Sequence, residues 1–123
     1  MTDPAIRILL LPKDTNEHGT IFGGVILSHI DLAGAVQARR AARNDRFVTV
    51  AMREIVFKEP VYVGDVVSFY TAATKIGRTS ITIDVRVEAQ RRGDPSRVVV
   101  VTTAEMVFVS VDPEGKPTPI IPA

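Results

Sequence analysis

The stretch DTNEHGTIFGGVILSHIDLAGAVQARR, Asp14 to Arg40, decides the fold. Its first third, to Thr20, is made of turn and cap residues and reads as a loop. From Ile21 to about Arg43 there is no proline and the pattern is helical. At ~100° per residue, Gly24, Leu27, Asp31, Ala35, Ala38 and Ala42 fall close together, while His29, Leu32, Arg39, Arg40 and Arg43 lie round the other side. This is the one long helix the chain offers. It carries a carboxylate, Asp31, among small and apolar neighbours, and it opens on two glycines, Gly23 and Gly24.

Everything outward of the helix reads as strand. AIRILLLP (Ala5 to Pro12) is a short apolar run closed by proline. FVTVAMREIVFKEP (Phe47 to Pro60) is β-branched and aromatic, and VVSFYTAATKIG (Val66 to Gly77) follows a Gly64-Asp65 turn. In SITIDVRVEAQ, Ile81, Ile83, Val85, Val87 and Ala89 alternate with Thr82, Asp84, Arg86, Glu88 and Gln90, so one face is buried and one is wetter. RVVVVTTAEMVFVSV (Arg97 to Val111) is apolar on both phases, which suits a central strand covered on both sides. Short connections imply antiparallel neighbours. The expectation is an α+β fold: one helix, its stripe buried against an antiparallel sheet, with a sheet edge left for a partner. The chain reads as a single domain over residues 1–123, with 1–4 and 112–123 as loosely ordered termini.

Composition narrows the function. Of 123 residues, 46% are hydrophobic and 24% charged, which is globular rather than disordered. There is no cysteine, so disulfides, thiolate metal sites and cysteine nucleophiles are excluded, and a reducing compartment fits. A net charge of +1 gives nucleic acid no electrostatic pull. No apolar run is long enough to span a membrane, and the start does not read as a signal peptide. A cytoplasmic protein with no nucleic-acid or membrane partner is expected.

The chemistry then rests on the helix. A half-buried aspartate beside small residues can act as a general base or a nucleophile, or can simply be solvated or salt-bridged. The first-turn N–H groups at Gly23 and Gly24 are unpaired and lie at the positive end of the helix dipole; they can receive an oxyanion, although Gly-Gly at a helix start also serves close packing. Ser28, His29 and Asp31 resemble a triad on paper, but residues one or two apart on a helix do not face each other. His18 and His29 are the only histidines and lack metal-ligand spacing, so no metal site is expected. His18 is expected to be solvated.

As a set, D-T-N at Asp14–Asn16, G-T-I-F-G-G at Gly19–Gly24, Asp31, P-V-Y-V-G-D at Pro60–Asp65 and G-R-T-S at Gly77–Ser80 resemble the hotdog-fold acyl-CoA thioesterases, in particular the bacterial YciA-like family. The resemblance runs in unbroken order from about Ile6 to Pro117. It implies a helix wrapped by a curved antiparallel sheet, and hydrolysis of acyl-CoA to a free acid and CoA. It implies no cofactor, since coenzyme A is part of the substrate. The family's catalytic carboxylate falls on Asp31, its loop asparagine on Asn16 and its backbone carbonyl donor on Gly24, with Gly23 beside it. The resemblance further implies a site shared across a homodimer, with Asn16 and Asp31 of one site on different chains, and assembly as a trimer of dimers. It suggests Gly77, Arg78, Thr79 and Ser80 for the pantetheine and phosphate region. Arg91 and Arg92 are candidates for CoA phosphates because arginine forms charge-assisted bonds to phosphate, a solvated hairpin turn being the plainer reading. Phe57 and Pro60 are expected to shape the sheet rather than touch substrate. Many family members carry tryptophan after the two glycines; Val25 here leaves the acyl-pocket shape and chain-length preference open. Two rival readings are a hotdog enoyl-CoA hydratase, for which His29 points away from Asp31, and a non-catalytic acyl-CoA-binding module.

Overall fold

The computed structural model describes residues 3–123. Strand β1 (Ile6–Leu9) is followed by a short 3-10 turn (Pro12–Asp14) and helix α1 (Gly23–Ala41). Four long strands complete the chain: β2 (Phe47–Phe57), β3 (Val66–Ile76), β4 (Ser80–Gln90) and β5 (Val98–Ser110). They form one antiparallel sheet in the order β1-β3-β4-β5-β2. The expected α+β architecture, one helix against an antiparallel sheet, is thus met. Of the amino-terminal residues expected to be loose, Met1 and Thr2 lie outside the described residues.

The alternation read in β4 is reproduced residue by residue: Ile81, Ile83, Val85, Val87 and Ala89 are all buried under the helix. Register carries that face across the sheet, pairing Ile81 with Phe108, Ile83 with Met106 and Val85 with Ala104 on β5, and Val87 with Phe69 on β3. Each large side chain so buried contributes roughly 1.5–3 kcal/mol.

Three expectations need correction. The buried stripe of α1 is Ile26, Ile30, Ala33, Gly34 and Ala38, not the line through Asp31. Ile26 and Ile30 offer far more apolar surface than the small residues one position along, so the helix is turned to bury them. Asp31 is left half-buried on the flank of the stripe. β5 is not covered on both sides within one chain: Ala104, Met106 and Phe108 are buried on the helix face, while Thr103, Glu105, Val107 and Val109 on the other phase are only half-buried. The segment 112–123 is not loose. Thr118 N–H donates to the Ser110 carbonyl (2.8 Å) and Ile120 N–H to that of Arg78 (2.8 Å), Arg43 N–H donates to the Ile121 carbonyl (2.8 Å), and the Asn44 side chain bonds Ser110, Pro119 and Ile121. Prolines set the tail extended, and these bonds satisfy its backbone.

β2 is an edge strand, with apolar side chains on display: Val48, Val50, Val56 and Phe57 are exposed, as is Leu32 on the adjoining helix flank. Register shifts between Thr49 and Ala51 and between Arg53 and Val56 bend it, and Glu54 takes a φ of 56° at the second.

Candidate active site

The helix starts abruptly. Phe22 occupies the N-cap in an extended conformation with no side-chain cap, and Val25 N–H turns back to the Phe22 carbonyl (3.0 Å). Among the described residues, no acceptor takes the N–H of Gly23 or Gly24. Two donors at the positive end of a 19-residue helix are therefore available to an incoming oxygen.

The loop before the helix is held by Asn16. Its Oδ1 accepts the backbone N–H groups of His18 (2.8 Å) and Thr20 (3.2 Å), and its Nδ2 donates to Thr20 Oγ1 (2.8 Å). One amide hydrogen of Nδ2 remains uncommitted. Phe22 N–H donates to the Asp14 carbonyl and Ile21 N–H to that of Val61, each at 2.8 Å, which fastens this loop to the helix start and to the β2–β3 connection. Asp14 caps the 3-10 turn through the Leu11 N–H, and the Lys13 ammonium, then that N–H, hold its carboxyl below the usual value. Asn16, Gly23 and Gly24 thus lie at one end of the molecule. His18 is exposed, as expected.

Asp31 lies elsewhere. Seven residues separate it from Gly24, about 10 Å along the helix axis. Its Oδ1 accepts a 2.6 Å hydrogen bond from Thr49 Oγ1, so the carboxylate is tied to the edge strand β2. A carbonyl oxygen seated on the Gly24 N–H is out of reach of the same chain's Asp31.

The paper triad dissolves. Ser28 Oγ donates back to the Val25 carbonyl (2.8 Å), and His29 Nδ1 meets that same oxygen (2.8 Å). The His29 ring packs against Phe69 with centroids 5.8 Å apart, so it is not on a solvated arginine face as the helical projection placed it. Among the described residues no group of three metal-ligating side chains is close enough to hold an ion.

The remaining candidates divide between the two ends of the sheet. Gly77–Ser80 form the β3–β4 turn, closed by Gly77 N–H to the Ser80 carbonyl (2.8 Å). This turn adjoins Ile81 and Phe108, whereas the helix start adjoins Thr102, which pairs with Val87 six residues along β4. At ~3.4 Å per residue that is roughly 20 Å, so GRTS and the helix start of one chain do not share a site. Arg91 and Arg92 are on the helix-start side, but Arg91 is spoken for: its Nη1 donates to Asp65 Oδ2 (2.6 Å) and the Pro60 carbonyl (3.0 Å), and its guanidinium covers Tyr62. Asp65, also buried, accepts Tyr62 N–H and Arg92 N–H. Arg91 is therefore a structural clamp for the PVYVGD turn. Arg92 and Arg97 have no carboxylate partner among the described residues and share a surface depression with Glu59 and Tyr62. Arg97 carried no motif, and only the β4–β5 hairpin brings it to this rim.

A second recess, of about 290 Å³, opens beside the helix start between Ile21, Gly23, Ile26, Phe57, Val61 and Thr102. Phe57 and Pro60, expected only to shape the sheet, line it. Thr102 was missed by sequence reasoning, which saw only an apolar strand.

The chain matches the model of the Thioesterase superfamily over residues 18–96. It is 41% identical over 117 residues to the acyl-CoA thioester hydrolase YciA of Salmonella typhimurium, covering 94% of this chain and 87% of that one. Among solved structures it resembles Cj0915, a hexameric hotdog fold thioesterase of Campylobacter jejuni, with a TM-score of 0.89 and 46% identity over 97% of this chain and 90% of that one. It also resembles the hexameric thioesterase y2039 from Yersinia pestis, with a TM-score of 0.89 and 40% identity over 96% of this chain and 94% of that one. A free pair of N–H donors at a helix start, on a helix laid across an antiparallel sheet, is thus found in a chain that belongs to the thioesterase superfamily and has the hotdog fold.

Proposed function

We propose that this protein hydrolyses acyl-CoA thioesters to a carboxylic acid and CoA, and that a homodimer is its active unit. The observation that carries the reading is the separation within one chain: free N–H donors at Gly23 and Gly24, and a carboxylate about 10 Å away that is bonded to the edge strand. β2 runs from Phe47 to Phe57, with Thr49 and Asp31 near its start and Phe57 against Gly23 at its end. Two copies pairing β2 to β2 about a two-fold axis near Met52 set Thr49 of one opposite Ile55 of the other. Asp31 of each copy then approaches the Phe57 and Gly23 of its partner. The same pairing covers Val48, Val50, Val56, Phe57 and Leu32, and satisfies an open sheet edge.

In that arrangement the Gly24 N–H receives the thioester carbonyl and stabilises the oxyanion as the carbon becomes tetrahedral. Asp31 of the other copy takes the proton of the attacking water, or attacks the carbon itself to give a mixed anhydride that water then hydrolyses to the free acid, restoring the carboxylate. The carbon–sulfur bond breaks and CoA leaves as thiolate, a good enough leaving group to need no strong acid. The free hydrogen of the Asn16 amide orients water or substrate. Arg92 and Arg97 suit the CoA phosphates. The relatives' hexamers support a trimer of such dimers.

The test has two parts. Asp31→Asn lowers kcat with acyl-CoA by about 10²–10⁴ in a thiol-release assay while the protein stays folded; near wild-type turnover would remove Asp31 from the reaction. Unfolding and refolding a 1:1 mixture of Asp31→Asn and Gly24→Val chains restores about a quarter of wild-type activity, since half the dimers carry one intact site of two. No restoration places the whole site on one chain.

A further inference from the structure

Helix α1 begins without the devices that ordinarily secure a helix start. A serine, threonine, aspartate or asparagine at the N-cap lends a side-chain oxygen to the N–H of the second or third helical residue. Here the N-cap is Phe22, which has no such oxygen, and the first turn carries no acidic residue to meet the dipole. The first two helical positions are glycines, which are poor helix formers. The far end is furnished in the ordinary way, with Arg39 and Arg40 in the last turn.

The omission falls on one atom. Val25 N–H, at the third helical position, is already taken by the Phe22 carbonyl (3.0 Å). A capping side chain at position 22 would therefore go to the Gly24 N–H, at the second position. That is the donor proposed to receive the thioester carbonyl. The backbone of Phe22 has the extended conformation that N-caps adopt, and it is held by Phe22 N–H donating to the Asp14 carbonyl (2.8 Å). The main chain is thus ready for a cap, and only the side chain withholds it.

The ring itself answers to this end of the helix. Phe22 is largely exposed, yet its side chain folds back over Gly24: the nearest ring atoms lie 2.6 Å and 3.1 Å from where a Cβ on Gly24 would be. A residue without a Cβ leaves that space open. The ring covers one flank of the bare Gly24 peptide unit and keeps water from that side. A donor shielded from water acts more strongly on a developing charge.

Building on the hydrolase reading, we propose that Phe22 is a positioning residue for the oxyanion: an apolar N-cap that leaves the Gly24 N–H uncommitted and shields it, at a cost in helix stability. It acts through that N–H. A capping side chain in its place would make the helix start more stable and the reaction slower, because the same hydrogen would serve the cap and the carbonyl.

The experiment compares Phe22→Ala, Phe22→Ser and Phe22→Leu in the full chain. It reads thiol release from butyryl-CoA and octanoyl-CoA, thermal unfolding, and amide hydrogen exchange at Gly24. Phe22→Ala removes the ring and adds no cap, whereas Phe22→Ser removes the same ring and adds one. Phe22→Ser therefore melts about 2–6 °C above Phe22→Ala, and its Gly24 amide exchanges about fivefold or more slowly. Its kcat/KM falls about fivefold or more below that of Phe22→Ala, since the carbonyl must displace the new side-chain oxygen. Phe22→Leu, apolar and unable to cap, stays within about threefold of the wild type. Equal kcat/KM in Phe22→Ser and Phe22→Ala, or an unprotected Gly24 amide in Phe22→Ser, overturns the proposal. Unfolding of both variants also overturns it, by showing that the ring is kept for packing. Should the wild type release no CoA from either ester, the hydrolase reading falls, while the Tm and exchange comparison still decides whether Phe22 withholds a cap.

Discussion

Helix α1 carries glycine in its first turn, at Gly24, and again past its middle, at Gly34, for opposite reasons. A Cβ placed on Gly34 would sit 2.8 Å and 2.9 Å from ring atoms of Phe108, which is fully buried on β5. A Cβ placed on Gly24 would sit 2.6 Å from the side chain of Phe22, a residue that is 56% exposed and has room to swing away. Around Gly34 the molecule is closed: Ser110 is buried and bonded to Asn44 and Thr118, and the tail is stitched on behind. Around Gly24 it is open, with free N–H groups, a recess and the buried Thr102 hydroxyl, which has no partner among the described residues. A glycine in a helix is thus not informative until its neighbours are known. One end is built for packing, and the other leaves polar groups without partners.

The open end must still be held in place, and the ion pair of Arg91 with the buried Asp65 holds it. Removing one partner strands a charge beneath Tyr62, which costs about 3 kcal/mol even though two N–H groups still face Asp65. Arg91→Met therefore lowers the denaturant midpoint more than a substitution at Gly34 or Gly24 does, and changing Asp65→Asn in the same chain regains part of the loss. A loss below about 1 kcal/mol would mean that the PVYVGD turn is held by its backbone alone. Gly64 adds a constraint at the same place: its φ is +88°, and the Arg92 side chain lies where a Cβ would be.

The closed end answers to packing alone. Gly34→Ala drives a methyl into the Phe108 ring, and overpacking of that kind costs about 1–3 kcal/mol. Its turnover per folded molecule is expected to stay close to wild type, because the added methyl meets Phe108 and Met106, whereas Asp31, one turn earlier on the helix, bonds Thr49 on the edge strand. Equilibrium unfolding together with thiol release separates the two effects. Unchanged stability with lost turnover would reverse the roles assigned to the two ends.

How much of this was legible in the sequence follows from the range of the interactions. The β4 boundaries and inward residues were legible because strict alternation is a local signal, repeated over Ile81 to Ala89. The helix was legible, but its rotation was not: small residues at Gly24 and Ala35 mimic a buried line, and only docking against Phe69, Met106 and Phe108 decides that Ile26 and Ile30 point inward. The ordered tail was illegible because most of its partners, Ala41, Arg43, Asn44 and Arg78, are distant in sequence. Arg91 looked free to bind phosphate because Asp65, 26 residues away, gave no local sign of being its partner. Thr102 was invisible, since having no partner is a property of three dimensions only. Asp31 stood out by composition, but its reach could not be read until Thr49 tied it to the sheet edge.

The smallest stability change is the most telling for the comparison. Gly24→Ala replaces a first-turn glycine with a better helix former, so stability rises or holds within about 0.5–1 kcal/mol once Phe22 moves aside. The backbone N–H is retained, and only the approach to it is narrowed by a methyl group. A displacement of an ångström at a reacting carbonyl costs up to about 10² in rate, so kcat/KM with acyl-CoA is expected to fall tenfold or more in a protein that is no less stable. Gly34→Ala shows the converse, losing stability and keeping rate. If Gly24→Ala instead loses stability and keeps its rate, the helix start is merely a second packing contact, and the oxyanion must be received elsewhere.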